Sequence, residues 1–80
     1  MQNANDLLAR ITVNSHVMVG KPTIRGSRLT VEHILKALSN RLSFEELKED
    51  YPFLEPEDIS ACLLYAAQRL EEEKIYPVAA

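Results

Sequence analysis

The apolar positions divide the chain into an extended first part and a helical second part. From Arg10 to Val13 the pattern is short and β-leaning (Ile11-Thr12-Val13), and it ends at Asn14-Ser15. A second short extended run, Val17-Met18-Val19, stops at Gly20. The segment GKPTIRGSRLTV follows. Pro22 fixes its own φ and biases Lys21 away from helix. Gly26, between two arginines, permits a positive φ. These are the marks of a defined loop or irregular hairpin, anchored by Ile24, Leu29 and Val31 pointing inward.

Three helices come next. Thr30 is placed to cap the first, about residues 31–40, whose Val31, Ile34, Leu35 and Leu38 recur at helical spacing. Asn40 is the residue expected to take the left-handed position at its end. Ser43-Phe44-Glu45-Glu46 reads as a capping box for the second helix, with Leu42 and Leu47 at the spacing of a hydrophobic staple. Pro52 stops this helix at about Asp50. Glu55-Pro56-Glu57-Asp58 opens the third, with proline at the first position and acids in the first turn. Ile59, Cys62, Leu63, Ala66, Ala67 and Leu70 follow as an expected core stripe. Ala61, Leu64 and Tyr65 lie off that stripe and form a second apolar patch, read either as a dimer or partner contact or as scattered surface apolars. The tail KIYPVAA reads as a frayed end or as a strand lent to a partner.

The predicted fold class is mainly α: a three-helix helix-turn-helix bundle preceded by a short β-rich N-terminal arm. The expected boundaries are an N-terminal extension 1–9, the arm and basic loop 10–30, the bundle 31–73 and the C-terminal tail 74–80. Eighty residues allow one domain. With 46% apolar and 26% charged residues the composition is that of a globular protein. So small a chain buries a modest share of its surface, so a homodimer is expected. One cysteine, Cys62, excludes an intrachain disulfide framework. The first residues lack the pattern of a signal peptide. No apolar run approaches the roughly 20 residues of a membrane span. A cytoplasmic location and no membrane partner are the expectation.

Charge changes the picture. The net value of −3 hides a balance of +4 over residues 1–41 and −7 over residues 42–80. Such a split suggests two surfaces with different partners, or simply solvated acidic helix faces.

Catalysis finds no footing. His16 and His33 have no cysteine or nucleophilic serine in a recognisable motif, and Ser27 and Ser60 read as turn and helix-surface residues. GKPTIRGS lacks the ending of a phosphate-binding loop. No metal-ligand spacing occurs. The chain is expected to be neither an enzyme nor a holder of metal or cofactor.

The loop from Gly20 to Arg28 carries Lys21, Arg25 and Arg28. A pre-formed loop lowers the ordering cost of presenting arginine forks to phosphate, carboxylate or guanine edges. Alternatively, at least one arginine ties the loop to its own subunit. In a helix-turn-helix protein the start of the last helix reads bases. Here it carries Glu55, Glu57 and Asp58, which phosphates repel. DNA contact would then fall to the basic loop and to the first helix, through Lys36, or the fold has lost DNA binding.

Two motifs resemble a known family. GKPTIRGSRLTVEHIL, with LSFEELKEDYPFLEPEDISACLLYAA, is similar to the small prokaryotic family catalogued as domain of unknown function 433. That family is grouped with helix-turn-helix proteins and described as VapB-like antitoxins. The first motif falls on Gly20, Lys21, Pro22, Ile24, Arg25, Gly26 and Arg28. The second falls on Tyr51, Pro52, Leu54, Glu57, Asp58, Ile59, Ala61, Leu63, Tyr65 and Ala66. The resemblance implies a β-rich arm before a three-helix bundle, often dimeric. It also implies an antitoxin that covers a PIN-type nuclease toxin and binds its own promoter. Members commonly have glycine where Arg41 stands and threonine where Ser27 stands. The expected function is an antitoxin-like, DNA-binding regulator, with the toxin or operator DNA meeting Lys21, Arg25, Arg28 and Lys36. The alternative is an acidic protein-interaction module without nucleic-acid binding, which the pI near 5.3 favours.

Overall fold

The short β-leaning run at Ile11 does find a partner, and the pairing decides how the whole arm is laid. The computed structural model describes residues 3–72, so the tail 74–80 and the expected last helical residue, Glu73, lie outside it. Within that range the chain is mainly helical. Its elements are α1 (Ala4–Leu8), β1 (Ile11–Thr12), β2 (Thr23–Ile24), α2 (Val31–Ser39), α3 (Phe44–Asp50) and α4 (Pro56–Glu72). The two strands form an antiparallel sheet with Ile11 opposite Ile24 and Thr12 opposite Thr23.

Two features of the arm differ from the sequence reading. The N-terminal extension contains a helix: the Asn3 side chain accepts from the Asp6 N–H at 2.9 Å, and α1 packs against α4. Five residues do not hold a helix by propensity, so the cap and the tertiary contact make it. The second strand is not Val17-Met18-Val19. Local turns take those residues instead, with Val17 N donating to Asn14 O, Gly20 N to Val17 O and Lys21 N to Met18 O. Met18, Val19 and Gly20 all adopt left-handed backbone, with φ of 49°, 57° and 77°. The strand forms at Thr23-Ile24, where a ladder is available on both sides: β1 on one, and Thr30 bridging to Thr23 on the other. Both residues are buried.

The helices follow their caps. Thr30 accepts from the His33 N–H at 3.0 Å and starts α2. At its end Asn40 stays at φ −90°, and Arg41, not Asn40, takes the left-handed position at φ 65°. Leu42 N donates to Ala37 O and Arg41 N to Leu38 O, the two bonds of a Schellman motif. The register of those bonds, rather than residue preference, assigns the left-handed conformation to Arg41. Ser43 and Glu46 complete the capping box of α3. Beyond α3, Lys48 Nζ donates to the carbonyls of Pro52 at 3.0 Å and Leu54 at 2.7 Å, which shapes the link into α4.

The core gathers Ile24, Leu29, Val31, Ile34, Leu47, Leu54 and Cys62 from the arm and all three later helices. Burying each of the large aliphatic side chains stabilises by about 1.5–3 kcal/mol. On α4 the inward face is Asp58, Ala61, Cys62 and, partly, Tyr65. The expected stripe is therefore displaced around the helix: Leu63 is 52% and Leu70 58% exposed, whereas Ala61 is fully buried. Apolar residues surround much of α4, so their spacing alone does not choose between its faces. Packing of α1, α2 and β1 does. No described helix is long and apolar enough to cross a membrane.

Candidate binding surface

The basic loop is a tight structure. Ser27 N donates to Ile24 O at 3.0 Å, closing a turn whose third residue is Gly26 at φ 78°. Nothing lies within 4 Å of where a Cβ would stand on Gly26, so backbone conformation and not space requires glycine there. The Ser27 hydroxyl donates to Ile24 O at 2.8 Å and accepts from Leu29 N at 3.1 Å, locking the exit from the turn.

The four cations expected to act together are dispersed by this frame. Lys21 Nζ lies 2.9 Å from Glu32 Oε1, and Lys36 Nζ lies 3.5 Å from the other oxygen of the same carboxylate. Both sit on one side of α2. The two lysines hold the Glu32 carboxyl below its ordinary range, mainly through the Lys21 hydrogen bond. Arg25 turns toward α1 and donates to the Ala9 carbonyl at 3.2 Å. Arg28 alone among the four makes no ion pair or hydrogen bond with the described residues. It stands between two clefts.

The first of these clefts, of about 410 Å³, is walled by His33, Tyr51 and Phe53, with Met18 and Arg28 at its edge. Its aromatic wall is built edge to face: ring centroids lie 5.9 Å apart for His33 and Tyr51, and 6.2 Å apart for Tyr51 and Phe53. Tyr51 Oη is 3.3 Å from His33 Nε2. The second cleft runs along the outer side of the arm past Thr12, Val13 and Ser27. A single cation beside an aromatic wall can pair one carboxylate or phosphate and stack one planar or apolar group.

The acids at the start of α4 do not form a free negative patch. Arg10 Nη1 lies 3.1 Å from Glu55 Oε1 and 3.1 Å from Asp58 Oδ1, and Asp58 Oδ2 accepts from the Glu55 backbone N–H at 2.8 Å. These hydrogen bonds raise the Arg10 pKa, Asp58 first and Glu55 second. Asp58 is buried, and only Glu57 is left outside the network. One Glu57 carboxylate oxygen, Oε2, is buried without a hydrogen-bond partner among the described residues. Arg10 was not legible as a site residue, because its partners lie 45 and 48 positions away. Asp58 carried a signal: an acid three residues after Glu55 is the spacing of a capping box.

The residues expected to make an outward patch on α4 separate. Ala61 has no exposed surface and is a packing residue. Leu64 and Tyr65 are half-buried, and Tyr65 packs on the core. The large apolar side chains that α4 turns outward are Leu63 and Leu70. Among the described residues no group of three or more His, Cys, Asp or Glu is placed to hold a metal ion.

Comparison with known proteins agrees with this architecture. The crystal structure of a DUF433 member protein from Anabaena variabilis superposes with a TM-score of 0.72 at 30% sequence identity. The match covers 79% of this chain and 62% of that one, so the chain spans less than two thirds of the Anabaena protein. None of the proteins with a curated function matches. The sequence signature of the family described as "Protein of unknown function (DUF433)" covers residues 11–66, from β1 through most of α4. On that coverage, the chain belongs to the DUF433 family.

Proposed function

We propose that this chain is an antitoxin-like regulator that acts by binding, not catalysis, and that its Arg28 side meets a protein partner of the PIN-type nuclease class. The observation that carries this reading is the division of labour among the motif cations. Lys21 and Arg25 are engaged within the subunit, while Arg28 stands unengaged among the described residues beside the Tyr51–Phe53 wall. A nuclease metal site is a cluster of carboxylates, and a guanidinium fork pairs with carboxylates bidentately. A nucleic-acid strand would instead ask for several cations along its phosphates. The chain's acidic balance of −3 also favours a protein partner.

Promoter binding is the second reading. It draws support from Arg10, which takes up Glu55 and Asp58 and so lessens the repulsion that a helix-turn-helix docking through α4 would meet. One experiment addresses both readings. Wild type and R28A are titrated against a PIN-type nuclease encoded beside this gene and against the promoter DNA. The protein-facing reading expects inhibition of the nuclease that R28A weakens at least about tenfold, with DNA retardation absent or unchanged. Retardation that falls steeply with salt and is lost in R28A would replace it with the second reading.

A further inference from the structure

An apolar groove of about 300 Å³ runs between α2 and α4, and it shares no residue with the Arg28 cleft. Val31 and Leu35, one helical turn apart, face it, whereas His33 between them faces the other cleft. Its floor is prebuilt. Val31 is buried, and its N–H donates to Pro22 O at 3.0 Å, which pins the proline at the lip. Leu35, Tyr65 and Ala66 are half-buried, so each keeps surface open to the groove.

The rim is basic. Lys36 on α2 and Arg69 on α4 stand on opposite walls, with side chains 74% and 66% exposed. Glu32 is the acid of the rim, but Lys21 holds one of its oxygens at 2.9 Å, and Lys36 reaches only the other, at 3.5 Å. One carboxylate therefore faces two ammonium groups and leaves a positive charge over beside Lys36. Arg69 leans on Glu72 at 3.3 Å, an exposed pair of the kind that contributes little and exchanges readily. In a chain whose residues 42–80 carry a balance of −7, a basic margin around an apolar floor is a local exception.

We propose that this groove docks an acidic amphipathic helix of another protein, its aliphatic side chains on the α2–α4 floor and its flanking carboxylates against Lys36 and Arg69. A groove walled by two helices takes a third as a short row of apolar anchors at i, i+3, i+4 and i+7. The rim then sets the sign of the partner. A flanking carboxylate satisfies the charge left over at Lys36, and another gives the Arg69 fork a bidentate acceptor in place of its exposed pair. A helix with basic flanks meets like charge on both walls and is refused. The proposal stands apart from the antitoxin-like reading, since it uses neither Arg28 nor the aromatic wall beside it.

The test uses the full chain and three fluorescein-labelled synthetic helical peptides of about 15 residues. One carries a leucine row flanked by glutamates, the second the same row flanked by lysines, and the third the glutamates with serines in place of the leucines. Fluorescence anisotropy is expected to show the first bound at least about tenfold more tightly than either of the others. K36E/R69E, which alters exposed side chains only, is expected to reverse the preference between the glutamate- and lysine-flanked peptides. Backbone NMR shifts on adding the first peptide are expected to centre on Leu35 and Ala66. No binding up to the solubility limit, equal binding of the first two peptides, or a preference that K36E/R69E leaves unchanged overturns the proposal. So do shifts centred on Leu63 and Leu70. NOEs in the free protein from Leu35 or Tyr65 to residues 75–78, or to a second copy in a mixed-label sample, would likewise overturn it by giving the groove a different occupant.

Discussion

Arg10 and Asp58 form an ion pair of 3.1 Å between two points 48 residues apart, and the carboxylate in it is buried. The pair ties the foot of β1 to the first turn of α4. R10A would leave a buried carboxylate with the Glu55 N–H as its remaining donor. Removing one member of a buried pair costs about 3–5 kcal/mol, and the partial exposure of Arg10 reduces this to roughly 2–3 kcal/mol. Urea unfolding should show that loss, and R10A/D58A should cost less than the sum of the single variants. Arg10 is a base whose pKa is raised by folding. The contribution of the arginine charge is therefore complete below the ordinary arginine value and is lost only as pH rises through the raised one, far above the working range.

Arg41 at φ 65° closes the Schellman motif of α2. Left-handed backbone costs a non-glycine residue about 1–2 kcal/mol, part of which glycine gives back as entropy in the unfolded chain. R41G should raise stability by about 0.5–1 kcal/mol, measured as a higher urea midpoint at unchanged slope. A decrease would mean that the Arg41 side chain contributes more than its backbone costs.

Much of the helical part was legible because its signals are local. The Ser43–Glu46 capping box, the Thr30 cap and Pro56 at the start of α4 each act within one turn. The arm was less so. Thr23-Ile24 becomes a strand only because β1 and Thr30 flank it, and α1 exists because α4 receives it. The inward face of α4 was displaced for the same reason, since Asp58 is buried by a distant arginine. In the candidate site, the motif did not disclose the fate of each cation. Ala9 takes up Arg25 and Glu32 takes up Lys21, and neither partner lies within a helical turn of its cation.

Cys62 is fully buried, and burial together with nearby Asp58 pushes its thiol up to about 12. A folded-state value raised for an acid means that stability falls as pH climbs above the unfolded thiol's ordinary value, because only the unfolded chain ionises there. Labelling with a disulfide reagent at pH 8 should therefore proceed at the rate of unfolding and accelerate with urea. Rapid labelling without urea would contradict the packing of α4 against the core.

Glu32 is exposed, and Lys21 followed by Lys36 lowers its pKa below 4.5. As an acid with a depressed folded value, it contributes above that ordinary value and loses the contribution as pH falls through the lowered one. Side-chain NMR titration should show K21Q returning Glu32 toward the ordinary range, and added salt should shrink the difference.

The packing of α1 on α4 joins the beginning of the described chain to its end. Five residues of helix have no stability of their own, so α1 stays unstructured until α4 has been synthesised. A nascent chain stalled before α4 should therefore be cleaved readily by proteases within α1.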